Sequence, residues 1–124
     1  MQKLVLIGAA GLVGTLARYL LSVWIDSRLN QTFPFGTLAV NLLGCFLAGY
    51  VLHVTEEKYP VDPVLLTVIF VGFLGGFTTF SSYGLQTFNM IKDGSVVLAA
   101  ANLIVSNLGG LLLVWAGYAI VPVP

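Results

Sequence analysis

The sequence predicts an all-α membrane protein of four transmembrane helices, with the third helix broken near its middle, and three observations carry that prediction. Of the 124 residues, 58% are hydrophobic and only 8% are charged, too little charge to cover the surface of a soluble domain. The mean hydropathy is +0.99, the balance expected of a chain whose solvent is lipid. The apolar residues also fall into four long runs, separated by short polar or turn-forming segments.

A bilayer core of about 30 Å asks for about 20 apolar residues per helix. The first run is about Leu4–Ile25. Lys3 followed by Leu4 to Val13 resembles the start of a signal peptide. No small-x-small cleavage site stands before a polar mature segment, and the run continues to Trp24, so a retained helix is expected. Gly8, Gly11 and Gly14, with Arg18 one turn further, give it a small face on which a neighbour can pack. The second run is about Phe35–Val54, entered past Pro34. There Asn41, Gly44, Cys45, Ala48 and Gly49 share a face. The lone Cys45 has no partner for a disulfide and no second metal ligand, so it reads as a packing residue. The third run, about Val64–Ile91, follows Pro63, and the fourth, about Val96–Val121, follows Lys92-Asp-Gly-Ser. Asn102, Ser106, Gly109, Leu113 and Gly117 form the small or polar stripe of the fourth. Loops this short leave no room for a soluble domain, so residues 1–124 form a single transmembrane domain.

The third run is too long and too rich in glycine for one plain helix. About 28 helical residues reach roughly 42 Å, well beyond the core. Its middle reads Gly72-Phe-Leu-Gly-Gly-Phe-Thr-Thr-Phe-Ser-Ser-Tyr-Gly84, and paired glycines beside hydroxyl and β-branched residues make a poor helix. At membrane depth, unwound backbone survives only where protein or a water-filled path satisfies it. A break here therefore marks a candidate functional site. The bland alternative is a continuous tilted helix whose glycines admit a neighbour.

Charge placement bears on topology. Lys3 and Lys58 fall on one side of a four-span chain, Arg28 and Lys92 on the other, with Arg18 inside the first span. This balance gives no orientation bias, which makes an antiparallel homodimer available. A formal net charge of zero points to no nucleic-acid partner.

The buried polar groups indicate what passes. Asn41 lies some way inside the second span with Thr37 one turn before it, and its amide offers two donors. Thr78, Thr79, Ser81 and Ser82 add hydroxyls from the third. Asp26, Glu56, Glu57, Asp62 and Asp93 all lie in or beside loops. A proton-coupled pump would need a buried carboxylate; a path of donors without fixed negative charge suits an anion. Aromatic edges carry partial positive charge, and Phe80 and Tyr83 lie one helical turn apart. Unwound carbonyls near Gly75 to Thr78 have the opposite polarity, suited to a cation.

These residues resemble the Fluc (CrcB) fluoride channels over essentially the whole chain. The matching pieces are Gly11-Leu-Val-Gly-Thr-Leu-Ala-Arg-Tyr19, Phe35-Gly-Thr-Leu-Ala-Val-Asn-Leu-Leu-Gly44 and Gly72-Phe-Leu-Gly-Gly-Phe-Thr-Thr-Phe-Ser81. The resemblance implies a dual-topology dimer of oppositely oriented copies in the inner (plasma) membrane, with two fluoride pores and a structural sodium ion at the two-fold axis. It implies a passive channel that exports fluoride trapped after hydrogen fluoride enters and dissociates, and no enzymatic activity. Backbone carbonyls of Gly75 and Thr78 resemble the sodium ligands, Asn41 the pore asparagine, and Phe80 the first of two pore phenylalanines. Tyr83 takes the second phenylalanine position. Ser81 and Thr37 resemble the polar lining, with Ser106 of the fourth span joining the pore set, and Arg18 resembles an arginine that packs near the helix ends.

Three positions depart from that pattern. Tyr83 brings a hydroxyl, Gln86 stands where the family often has glutamate, and Gly110 stands where some relatives carry serine. His53, near the end of the second span, is expected at an interface or cap rather than in proton transfer. Two other readings remain. A small multidrug exporter also has four short spans, but its chemistry needs an embedded carboxylate. A non-transporting subunit leaves the donor cluster and the glycine-rich break without a purpose.

Overall fold

The computed structural model describes residues 1–29, 32–58 and 61–120, with the backbone alone at positions 57 and 58. Helix α1 covers Gln2–Arg28. Helix α2 covers Phe35–His53 and runs on into a π-helical turn, Val54–Lys58. The third stretch is composite. It comprises α3 (Pro63–Thr67), a π-helical segment (Val68–Leu74), α4 (Gly75–Phe77) and, past Thr78 and Thr79, α5 (Phe80–Lys92). Helix α6 covers Val96–Ala119. The chain is all-helical, with four stretches long and apolar enough to cross a membrane: Gln2–Arg28, Phe35–Glu56, Pro63–Lys92 and Val96–Ala119. Val121, the expected end of the fourth span, and Lys58's side chain, counted above for topology, lie outside the described residues.

The helix ends are closed by local chemistry. Asp62 caps α3, accepting from the Val64 N–H at 2.7 Å, with Pro63 at the first helical position where its missing donor costs nothing. Helix α2 starts after Pro34, which has no capping side chain. Asp26 near the end of α1 supplies the acceptor instead, taking the Gly36 N–H at 2.8 Å. Between α5 and α6, Gly94 has φ of 79°. Its N–H donates to the Ile91 carbonyl and the Ser95 N–H to the Met90 carbonyl, the paired bonds of a glycine-closed helix end.

Packing between the long stretches runs through glycine. A Cβ on Gly14 would overlap the Phe73 carbonyl of the third stretch, and one on Gly76 would lie 2.5 Å from the Gly11 carbonyl. Residues 11, 14 and 18 thus meet residues 72 through 77 in ascending order, so the first and third stretches run parallel. On the other side, Gly49 sits against the Val114 carbonyl and Gly117 against the Phe46 carbonyl. Here too the register ascends, from Leu42 beside Gly109 to His53 beside Tyr118, so α2 and α6 run parallel. Small residues bring helices together in lipid because, with no hydrophobic drive between them there, close backbone approach supplies van der Waals attraction.

Two expectations change at this level. Gly8 does not join the contact face, since nothing lies within 4 Å of a Cβ placed there. The stripe on the fourth span also divides: Gly109 and Gly117 face α2, whereas Asn102 faces α5 through Thr87.

Replacing Gly49 or Gly117 by valine is expected to destabilise the detergent-solubilised protein by about 1–3 kcal/mol or more, through overpacking against backbone. Gly8→Ala is expected to be neutral or to stabilise by up to about 1 kcal/mol. Thermal unfolding followed by circular dichroism separates the two classes.

Candidate functional site

Between α4 and α5 the backbone leaves helical geometry at two residues. Thr78 has φ −96° and ψ 160°, and Thr79 has φ −149° and ψ 112°. In an uninterrupted helix the Gly75 and Gly76 carbonyls would accept from the N–H groups of Thr79 and Phe80. One end of each lost bond, the Gly76 carbonyl and the Thr79 N–H, is re-paired from outside. Arg18 on α1 donates its Nε–H to the Gly76 carbonyl at 3.0 Å, placing a cation at the carbonyl end of α4 where the helix dipole is negative. Asn41 on α2 pairs with Thr79 at both ends of its amide: Thr79 N–H donates to Oδ1 at 2.7 Å, and Nδ2 donates to the Thr79 carbonyl at 3.0 Å. Thr79 then caps α5, its Oγ1 accepting from the Ser82 N–H at 3.3 Å.

The glycines are not the residues that unwind. Gly75 is itself right-handed helical, φ −62° and ψ −36°. Gly76 is there for closeness to α1, and the threonines are extended because Asn41 and the Thr79 hydroxyl give their backbone an alternative to helix. Of the carbonyls expected to hold a cation, neither Gly75 nor Thr78 accepts a hydrogen bond among the described residues.

Beside this segment opens a groove of 250 Å³ lined by Asn41, Cys45, Thr78, Thr79, Phe80, Tyr83, Ser106 and Asn107. The structure therefore gathers Asn41, Phe80, Tyr83 and Ser106 on one wall system. Thr37 is buried one turn earlier on α2 and Ser81 is exposed, its hydroxyl 3.4 Å from that of Thr79; neither lines the groove. The two aromatic rings differ sharply in cover: Phe80 is 82% exposed and Tyr83 only 8%. Their centroids lie 5.5 Å apart with the planes tilted by 49°.

Two groups missed in the sequence support these walls. Asn107 donates from Nδ2 to the Tyr83 hydroxyl oxygen at 2.9 Å. It stands off the polar stripe drawn for the fourth span, and the signal that could have found it is the one used for Asn41, a primary amide within an apolar run. Thr87 links the helices below: its hydroxyl donates to the Tyr83 carbonyl at 2.7 Å and accepts from Asn102 at 2.8 Å. Asn102, only 1% exposed, is thus a clamp between α6 and α5.

The remaining singled-out residues play other parts. Gln86 lines a separate 420 Å³ pocket that also includes Asp26 and Asp93. Cys45 is a packing residue whose sulfur would be 3.3 Å from a Cβ on Gly110, so the missing serine there leaves room for this thiol. His53 does not cap a helix. It is buried at 3% exposure, set edge-on to Tyr118 at 4.5 Å, and its ring nitrogens have no partner among the described residues.

Comparison with known proteins places these features in a family. The model for the CrcB-like protein family, Camphor Resistance (CrcB), matches residues 5–118. A fluoride-specific ion channel FluC of Geotalea daltonii is 40% identical over 119 residues, 96% of either chain. FluC 2 of Moorella thermoacetica is 45% identical over 112 residues, 90% of either chain. FluC 2 of Listeria innocua is 40% identical over 111 residues, 90% of this chain and 84% of its own.

Asn41→Leu is expected to destabilise the protein by about 1–3 kcal/mol, because the N–H and carbonyl of Thr79 both lose their partner. Unfolding in detergent measures it. A leucine variant as stable as the parent would show that Arg18 and the Thr79 cap hold the segment alone.

Proposed function

The chain belongs to the CrcB-like family, and from that premise we propose that it is a fluoride-selective ion channel, exporting fluoride passively from the cytoplasm. It is a multi-pass inner-membrane protein and a transporter, not an enzyme. The observation that carries the reading is the groove beside Thr78 and Thr79, walled by amide, hydroxyl and aromatic groups with no carboxylate among its lining residues. Fluoride resists dehydration and is a strong hydrogen-bond acceptor. Amide and hydroxyl donors replace its lost water one bond at a time, and ring edges add partial positive charge. A multidrug exporter would place an acid in such a groove; here Asp26 is instead bonded to the Gly36 N–H at the α2 entrance.

The finer reading is a homodimer of oppositely oriented copies with two pores and a central structural sodium ion. The even spread of Arg and Lys over the two faces of the membrane supports dual insertion. Phe80, 82% exposed on a single chain at the edge of a polar groove, supports a second copy as its cover. For sodium, no group of three or more His, Cys, Asp or Glu side chains suited to a metal occurs among the described residues, so carbonyl oxygen is the donor set to consider. The Gly75 and Thr78 carbonyls, left without helical partners at the break, are hard neutral ligands of the kind sodium takes in interrupted membrane helices. Such an ion would neutralise their clustered negative ends and lock the two copies together.

Purified protein in liposomes is expected to release fluoride, read with a fluoride electrode, and to release chloride far more slowly. Equal rates for the two halides, or none for fluoride, would overturn the channel assignment. Replacing sodium by N-methyl-D-glucamine is expected to lower the thermal stability of the dimer, and an unchanged melting curve would argue that these carbonyls hold no ion.

A further inference from the structure

From the hydrogen bonds of one amide we infer that the Tyr83 hydroxyl is a hydrogen-bond donor to fluoride in the groove and that Asn107 is the positioning residue that aims it. This deepens the channel reading and rests on it. The orientation of the Asn107 side chain is decided by chemistry. One of its terminal atoms lies 2.7 Å from the Leu103 carbonyl oxygen. A carbonyl only accepts, so that atom is Nδ2. The same nitrogen lies 2.9 Å from the Tyr83 Oη, and its two hydrogens are thereby both committed. An amide nitrogen has no lone pair to offer, so Oη accepts from it and the phenolic hydrogen must point elsewhere.

The space available to it is the groove shared with Asn41, Thr79, Phe80 and Ser106. A phenol that accepts one hydrogen bond becomes a stronger donor through polarisation along the chain of bonds. Tyr83 is itself held from beneath, its carbonyl accepting from Thr87, which in turn accepts from the buried Asn102. The ring itself is only 8% exposed and packs at 5.5 Å from that of Phe80, which limits its freedom to follow a different partner. A phenylalanine at this position would present only a ring edge, whereas this chain presents an O–H of fixed direction. An anion with a compact, basic surface gains most from such a bond, so the pair favours fluoride over chloride.

The test is a double-mutant cycle on the whole protein in liposomes, read by fluoride electrode over a range of fluoride concentrations. Tyr83→Phe keeps the ring and is expected to weaken half-saturating fluoride by about tenfold, the scale of one bond to a charged acceptor. Asn107→Leu is expected to do nearly the same in the parent and to add nothing in the Tyr83→Phe background. If Asn107 were only a strut between α5 and α6, its loss would cost equally in both backgrounds, and that additivity would overturn its positioning role. Should Asn107→Leu fail to fold, the infrared C–O stretch of ring-labelled tyrosine in the unmutated protein decides. It is expected to show a component that shifts on adding fluoride and is missing in Tyr83→Phe. Parent-like fluoride saturation in Tyr83→Phe, or a tyrosine band indifferent to fluoride, overturns the inference while the channel assignment stands. No fluoride release from the parent protein in the same vesicles overturns both.

Discussion

Lipid offers no hydrogen bonds, so every backbone N–H and carbonyl inside the bilayer must find its partner within the protein. Thr78 and Thr79 test that constraint, because two extended residues near the middle of a membrane-length stretch cancel several helical bonds at once. The rest of the site follows from how those bonds are restored. Arg18 reaches across from α1 to one carbonyl, and Asn41 on α2 matches the peptide of Thr79 group for group. An amide side chain has the same donor and acceptor as a peptide, which is why asparagine rather than serine or leucine suits that position. The three helices are consequently tied at one level, and the groove opens beside the knot.

Much of this was legible in the sequence, and what was not has identifiable causes. Hydropathy and length reveal the four stretches, because twenty apolar residues in a row have little other use. Gly11, Gly14, Gly49 and Gly117 announce close packing, yet Gly8 obeys the same spacing and touches nothing. Spacing reports a face, while contact depends on where the neighbouring helix actually lies. Gly75 and Gly76 are helical, and the extended residues are Thr78 and Thr79. A low helix propensity is a weak preference, and α1 exploits Gly76 for proximity instead. His53 was expected at an interface or cap; its ring is buried against Tyr118 and caps no helix, and nothing in a linear reading brings positions 53 and 118 together.

Asn41 illustrates a subtler gap. Its type and depth mark it as important, but sequence alone cannot say whether its donors face an ion or another peptide. One N–H is spoken for by the Thr79 carbonyl, so the residue shapes the wall as much as it lines it. Thr87 and Asn107 each stand in the sequence without their hydrogen-bonded side-chain partner alongside to mark them. Their meaning lies in the link between α5 and α6, which stacks Asn102, Thr87, Tyr83 and Asn107 into one connected set of bonds.

The parallel pairing of the long stretches also bears on how such a chain is made. Parallel neighbours cannot be consecutive in an up-and-down path, so α1 packs chiefly on the third stretch and α2 chiefly on α6. A ribosome delivering the protein from its first residue leaves α2 without its main partner until the last helix emerges. Domains that close early during synthesis can bury surface as they grow; this one keeps a glycine-faced helix waiting until nearly the end.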